Sequence, residues 1–393
     1  MQTASAVLWR AAGRVAFGVA ALALLPYVWG PIYRFPEPRP FSGSQLRNPY
    51  ATSSGQWQRA NFHAHGRAWG GLTSGAQPNQ VVADRYRGLG YSVAGISNYM
   101  SIASFHGVDT VPLYEHGFNV GKNHQLAIGA HGVDWFDFPL WQTLSNQQYV
   151  IDRVHRKADL VSLNHPSSRD AYDLRAMGAL TGYDLIEVVN GPFVAEDVWD
   201  AALSAGRAVW AVANDDTHDV NDARRTGAGW NMIDAATAST ANVVAALREG
   251  RFYAVLRTGA VEGAGVTTLQ AVSVAGTTLR VNLNGAASTI IFIGQDGAPR
   301  ATYKDTLSAE YAFAAADTYV RTIVVSPQTT LFLNPVTRWD GSALPTPSAS
   351  VDGVWTWTQR GGALLACVAL WLRVRSKRAA APLAVPDVAA RRA

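Results

Sequence analysis

The stretch NFHAHG places His63 and His65 two residues apart at the end of an apolar run. On a strand, side chains two apart share a face, so the two imidazoles aim at one point. Two neutral imidazoles held a few ångströms apart make half of a metal site, and imidazole suits zinc, iron, copper and nickel alike. The pair gains weight because further ligand-type residues follow it in order. These are Glu115 in LYEHG, His124 in KNHQLAIG, His165 in LNHPSS, and Asp216 with His218 in NDDTHD. The single cysteine, Cys367, excludes both a disulfide framework and a cysteine-based metal site.

These residues need a scaffold that brings them together, and the flanking pattern supplies one. Short apolar runs at 91–97, 160–163, 184–189 and 208–213 read as buried strands of a parallel sheet covered on both faces. Between them, segments 79–89, 195–205 and 241–249 read as helices closed by Gly90, Gly206 and Gly250, with Thr240 as N-cap of the last. Such alternation predicts an α/β barrel or an open doubly wound sheet, and in either the loops after the strands hold the chemistry. Asn164 and His165 follow one of these strands directly, and Asp215 and Asp216 follow another. Asp215 is also suited to turning its loop by accepting from backbone amides. Beyond about residue 262 the pattern becomes short alternating strands at 269–274, 278–283, 289–293 and 319–325, with turn dipeptides Asn284-Gly285 and Asp296-Gly297, which predicts a small β-sandwich.

Taken in order, the ligand candidates resemble the PHP superfamily of metal-dependent phosphoesterases, named for polymerase and histidinol phosphatase, in its subtype with a C-terminal β-sandwich. Members carry His-x-His first, then an acid and histidine after the second strand, a bridging glutamate, two separate histidines and a final Asp-x-His. The resemblance covers roughly residues 58–260 and implies an α/β fold, a distorted (β/α)7 TIM-type barrel. It also implies that His63, His65, Glu115 and Asp216 hold one divalent metal and that Glu115, His124 and His165 hold a second, with Glu115 as the bridge. A carboxylate shared by two cations stays deprotonated because both ions stabilise its charge. The pattern departs at GISNY, where Asn98 and Tyr99 stand in place of the family's acid and histidine. The third metal position loses ligands there, so two ions are expected, zinc, manganese or iron. His218 is then an open ligand, a proton donor or a substrate contact. His116 competes with Glu115 as a ligand, whereas His106, His131 and His155 read as surface or structural histidines.

The chemistry implied is hydrolysis of a phosphoester by hydroxide drawn from metal-bound water, with no side-chain nucleophile. Glu115, His218 and Arg67 are the candidate catalytic groups. Arg67, Arg169 and Tyr99 are candidate substrate contacts, the arginines because a guanidinium binds anionic oxygens bidentately. Lys122 is a weaker candidate. Two alternatives remain: carbamate or amide hydrolysis at the same centre, since metal-activated hydroxide also attacks carbonyl carbon, and a degenerate, non-catalytic binding protein.

The bulk properties bound the setting. A net charge of +4 with no basic stripe in the folded part argues against a nucleic-acid partner. Residues 15–33 carry no charge, about the ~20 residues needed to span a bilayer, with Arg10 and Arg14 before them and Tyr27, Trp29 and Tyr33 near the far end. An uncleaved anchor is favoured over a signal peptide because no small-x-small cleavage site follows Leu25. Residues 361–372 are apolar but short, unless a helix starts near Trp355 and lets Arg360 snorkel, and Arg373, Arg375, Lys377 and Arg378 follow them. The expected organisation is a cytoplasmic stub and transmembrane helix over 1–34, a linker over 35–57, the metallohydrolase over 58–260, the accessory sandwich over 261–345, and a possible second membrane segment with a basic tail over 346–393. The globular part then faces the periplasm or exterior, and its substrate is a small-molecule or lipid or glycan phosphoester. Secretion after cleavage is the alternative.

Overall fold

A computed structural model of the chain describes residues 4–73, 75–106, 111–260, 266–286, 288–344 and 346–379. The expected domain boundary at 260–261 adjoins a segment outside the described residues, and the tail from 380 onward also lies outside them. The chain divides into two compact units, one taking the residues up to Ile32 and from Val351 onward, the other running Tyr33–Ser350.

In the first unit, helix α1 (Ala4–Trp29) meets the long C-terminal helix that begins at Gly353. The Arg360 guanidinium donates to the Trp29 carbonyl at 2.6 Å and lies over the Trp29 and Trp357 rings. Gln359 donates to the carbonyls of Tyr27 and Val28. Among the described residues one helical stretch, Ala11–Trp29, is long and apolar enough to cross a membrane. The C-terminal helix starts as early as the spanning reading requires but is not apolar enough to qualify.

The second unit is a mixed α/β fold. Its strands are β1 (Trp57–Asn61), β2 (Val93–Ala94), β3 (Leu113–His116), β4 (Gln125–Ile128), β5 (Leu160–Leu163), β6 (Leu185–Asn190), β7 (Trp210–Asn214), β8 (Gly229–Asp234) and β9 (Phe252–Arg257). They are followed by β10 (Thr268–Ala275), β11 (Thr278–Asn284), β12 (Ser288–Ile293), β13 (Pro299–Thr306), β14 (Ser308–Ala312), β15 (Tyr319–Val325) and β16 (Thr329–Trp339). Helices α2 (Asn79–Gly88), α3 (Leu144–His155), α4 (Leu174–Ala179), α5 (Glu196–Ser204) and α6 (Thr240–Glu249) are interleaved. Helix α6 ends as expected at Gly250 in the left-handed conformation, φ +77, but its N-cap is Ser239, whose hydroxyl accepts from the Asn242 amide, and not Thr240. Helix α3 opens with a capping box between Thr143 and Asn146.

One sheet has the order β7-β6-β5-β4-β3. It is parallel from β7 to β5, as expected of the runs at 160–163, 184–189 and 208–213, but antiparallel from β5 to β3, while the run at 91–97 gives β2, which pairs in parallel with β1 and not within this sheet. The link from β3 to β4 is too short for the crossover that a parallel pair requires. A second, longer sheet runs β13-β12-β15-β16-β9-β8-β1-β2. No closed ring of paired strands joins the two sheets among the described residues; single bridges, Ala64 to Thr217 and Tyr99 to Glu115, stand at the places where the ring would close. Asparagine side chains satisfy the backbone at one of these seams. Asn231 on β8 accepts from the Ala213 amide at 2.9 Å and donates to its carbonyl at 2.7 Å, as a neighbouring strand would. Asn214 accepts from the Phe62 amide and Asn61 from the Asp215 amide.

The accessory strands do not hang from a linker. Strand β9 pairs with β8 on one side and β16 on the other, so the longer sheet passes through both halves of the unit. A three-stranded sheet, β10-β11-β14, packs its buried face, Leu269, Leu279 and Val281, against Ile290, Phe292 and Leu331 of the long sheet. That is the sandwich expected from the alternating segments.

Candidate metal centre

The two histidines of His-x-His leave the end of β1 and are held against the loop after β7. The Asp216 amide donates to the His63 carbonyl and the His65 amide to the Thr217 carbonyl, each at 2.8 Å. Glu115 projects from β3, His124 precedes β4 and His165 follows β5. His165 and Asp216 have φ of +30 and +46, sparsely populated for residues with a Cβ and of a kind that clusters at functional sites. Strand ends and the loops after them therefore deliver every member, as the α/β reading requires.

The side chains converge. Glu115 Oε2 lies 3.3 Å from His63 Nε2 and 3.1 Å from His65 Nε2, and Asp216 Oδ1 lies 3.2 and 3.3 Å from the same two nitrogens. The other Glu115 oxygen, Oε1, lies 2.8 Å from His124 Nδ1 and 3.1 Å from His165 Nε2. Glu115 thus faces one cluster with each oxygen. His63, His65, Glu115 and His124 are buried, while His165 and Asp216 are partly so. His218 stacks on His65 at 4.3 Å and its Nε2 is 3.6 Å from Asp216 Oδ1.

Each of His63 Nε2, His65 Nε2, Glu115 Oε2 and Asp216 Oδ1 is buried without a hydrogen-bond partner. A buried polar atom left unpaired is costly, and here four converge with the nitrogen and carboxylate chemistry of a first-row divalent site. Four overlapping groups of His, Glu and Asp have their ligand atoms within 4.8 Å of one another. The residues fit divalent cations on both faces of Glu115.

Electrostatics follow the same division. Burial opposes ionisation of Glu115, but the charges of His63 and His124 and hydrogen bonds from His124 and His165 hold its carboxyl well below the usual range. Asp216 is likewise held low against burial, by His63 and His65. Burial alone would lower His63, yet Asp216, Glu187 and Glu115 raise it well above the ordinary imidazole value; His65 is raised by the adjoining Asp216 and Glu115 carboxylates against the same penalty. Burial lowers His124. Burial, reinforced by the charge of His65, lowers His218 to about 4.

Tyr99 stands where the resemblance leads one to expect a histidine. Its ring stacks on His65 at 4.6 Å, and burial together with the nearby charge of Glu115 raises its phenol. Asn98 accepts from the Gly66 amide and donates to Asn79, which fixes the loop after His65. Asp215 turns its loop, accepting from the Gly227 and Gly229 amides and the Tyr86 hydroxyl, and burial raises it to about 6. His116 points to the opposite face of β3 from Glu115, between Gln125 Oε1 and the Phe136 carbonyl, so it is no competitor for the cluster.

The two arginines expected at the substrate are engaged elsewhere. Arg67 donates to the Ala76 carbonyl and Arg169 to the Val120 carbonyl, and neither lines the cavity beside the His and carboxylate cluster. The cations that do line it are Lys122 and Arg225. Arg225 sits in a loop already dense in charged residues, so nothing in the sequence singled it out. Glu187 was missed as well. It accepts from His63 Nδ1 at 2.8 Å, from the His165 amide at 2.8 Å, and from Asn190 and Asn214. A lone acid inside the apolar run LIEVVN was the available signal, since an unpaired buried carboxylate is rarely tolerated.

No protein-family model and no curated protein matches the chain. Among solved structures it is similar to a two-domain protein from Bacteroides vulgatus described as containing a predicted PHP-like metal-dependent phosphoesterase. The identity is 14%, over 77% of this chain and 92% of that chain, with a TM-score of 0.41.

Proposed function

We propose that the chain is a metal-dependent hydrolase of phosphate esters that works with two divalent cations. The observation that carries this reading is the Glu115 carboxylate, with one oxygen 3.1 Å from His65 and the other 2.8 Å from His124, inside a ring of unpaired donor atoms. His63, His65, Glu115 and Asp216 hold one ion; Glu115, His124 and His165 hold the other. Bound cations supply acidified water and stabilise charge on phosphoryl oxygens.

The chain's own residues do the rest. Glu187 fixes the His63 tautomer, leaving Nε2 to face the centre. His218, neutral at physiological pH, stands beside Asp216 at the edge of the cavity and is placed to accept or return a proton at Nε2. Arg225 and Lys122 bind anionic oxygens of the ester. The apolar stretch Ala11–Trp29 anchors the protein, with the hydrolase outside the cytoplasm.

Elemental analysis of the purified full chain joined to an ester screen tests this reading. Two transition-metal ions per chain and turnover of a phosphomonoester or phosphodiester are expected. His63→Ala and Asp216→Ala each remove metal and activity together. A metal-replete chain inactive on every phosphoester overturns the proposal.

A further inference from the structure

The cavity beside the metal ligands, about 350 Å³, has one wall that the chemistry above does not use. Strand β6 turns at Gly191 and Pro192 and returns as the short strand Phe193–Val194, with Asn190 paired to Phe193 and Val189 to Val194. The hairpin holds Phe193 61% and Val194 40% exposed, although both are large and apolar. Arg225 lies alongside, its guanidinium 5.5 Å from the centre of the Phe193 ring, its Nη1 3.0 Å from Asn190 Oδ1 and 4.0 Å from Asp216 Oδ2. Gly191 makes room for it: a Cβ there would lie 3.1 Å from Arg225 Nη1. A fixed cation and an exposed aromatic ring therefore stand side by side at the edge of the metal centre.

The charges around the cavity narrow what can lie there. Its acidic lining residues are Glu187 and Asp216. Glu187 is spent on His63, the His165 amide and two asparagines, and Asp216 faces His63 and His65. Among the described lining residues, no carboxylate is left to receive a cationic group, whereas Arg225 and Lys122 both repel one.

We infer that this wall is the subsite for the alcohol portion of the ester, and that it selects an uncharged apolar or aromatic alcohol over a cationic amino alcohol. The phosphoryl oxygens lie between the metal ligands and Arg225, and the alcohol packs on Phe193 and Val194. This deepens the phosphoester reading of the same centre and rests on it.

Calorimetric titration of the metal-replete full chain with two phosphonates that cannot be hydrolysed tests the subsite without turnover. Phenylphosphonate is expected to bind about tenfold more tightly than 2-aminoethylphosphonate, the size of an aromatic contact plus apolar burial. Phe193→Ala should weaken phenylphosphonate several-fold and leave 2-aminoethylphosphonate unmoved at unchanged metal content, and Phe193→Trp should keep the phenyl affinity. Equal affinity of the unaltered chain for both ligands, or a phenylphosphonate affinity that Phe193→Ala leaves unchanged, overturns the subsite. A phenyl preference in a chain that hydrolyses no ester supports the subsite and overturns hydrolysis alone. Failure of the metal-loaded chain to bind either phosphonate overturns both.

Discussion

At the scale of single residues, the proposed two-cation centre draws as much on the groups behind the candidate ligands as on the ligands themselves. Glu187 bonds the far side of the His63 ring and the His165 amide, so it sets the direction of one ligand on each face of Glu115. Glu187→Gln preserves shape but replaces an acceptor by an amide that can present N–H to His63 Nδ1. Metal affinity is expected to fall about 10- to 100-fold with the fold retained. A chelator competition showing wild-type affinity would contradict that role. The histidines also make metal uptake pH-dependent. His63 and His65 keep their protons to higher pH than free imidazole, and a cation has to displace those protons, so affinity rises with pH until the raised His63 value is passed. Glu115 and Asp216, held low, are already ionised and add nothing to this slope near neutrality. Calorimetry at pH 7 in two buffers of different ionisation enthalpy reads the protons released. Buffer-independent heats would refute the scheme.

At the scale of elements, the sequence was most legible where a single periodic segment decided the outcome. Strand Leu160–Leu163 and helix Asn79–Gly88 fall where apolar runs and closing glycines put them. The His-x-His pair and Asp216 were legible because short motifs at strand ends carry their own geometry. The antiparallel strands β3 and β4 were not, since four-residue runs broken by Glu115, His116 and Gln125 carry no period of their own, and neither were Asn61, Asn214 and Asn231, whose role exists only where two sheets fail to pair. Arg225 was invisible for a related reason, as nothing but the hairpin at Gly191 distinguishes it from other loop arginines. The loop between β3 and β4 offers a test at this scale. Gly117 has φ +129, and a Cβ there would lie 3.0 Å from His124 Cγ and 3.3 Å from its Cα. Gly117→Ala therefore pushes the His124 ring off Glu115 while leaving His63, His65 and Asp216 untouched. Bound metal should drop from two ions per chain toward one, measured by elemental analysis after gel filtration. Unchanged stoichiometry would mean that His124 is not a ligand.

At the scale of the whole 33–350 unit, the long sheet runs from the candidate metal centre through the accessory strands, so the two are expected to unfold as one cooperative body. Strand β1, which delivers His63 and His65, is three neighbours from β16 through β8 and β9. A buried ion pair ties the halves a second time. Arg321 on β15 binds Asp200 of α5 through both Nε and Nη2, at 2.7 and 2.6 Å, and reaches Glu196 at 2.8 Å. Tyr319 also donates to Asp200. Arg321→Ala strands the Asp200 carboxylate in the interior, which costs about 3–5 kcal/mol because the charge loses its partner without regaining water. For a unit of this size the melting midpoint should fall on the order of 10 °C. Since the sheet is continuous, scanning calorimetry should show one transition moving as a whole, and added metal should raise that same transition by binding only the folded chain. Arg321→Met combined with Asp200→Leu should recover most of the loss, because apolar side chains of similar volume remove the stranded charge as well as the bond. Two separate transitions, with only one responding to Arg321→Ala and the other to metal, would show that the shared sheet does not couple the halves.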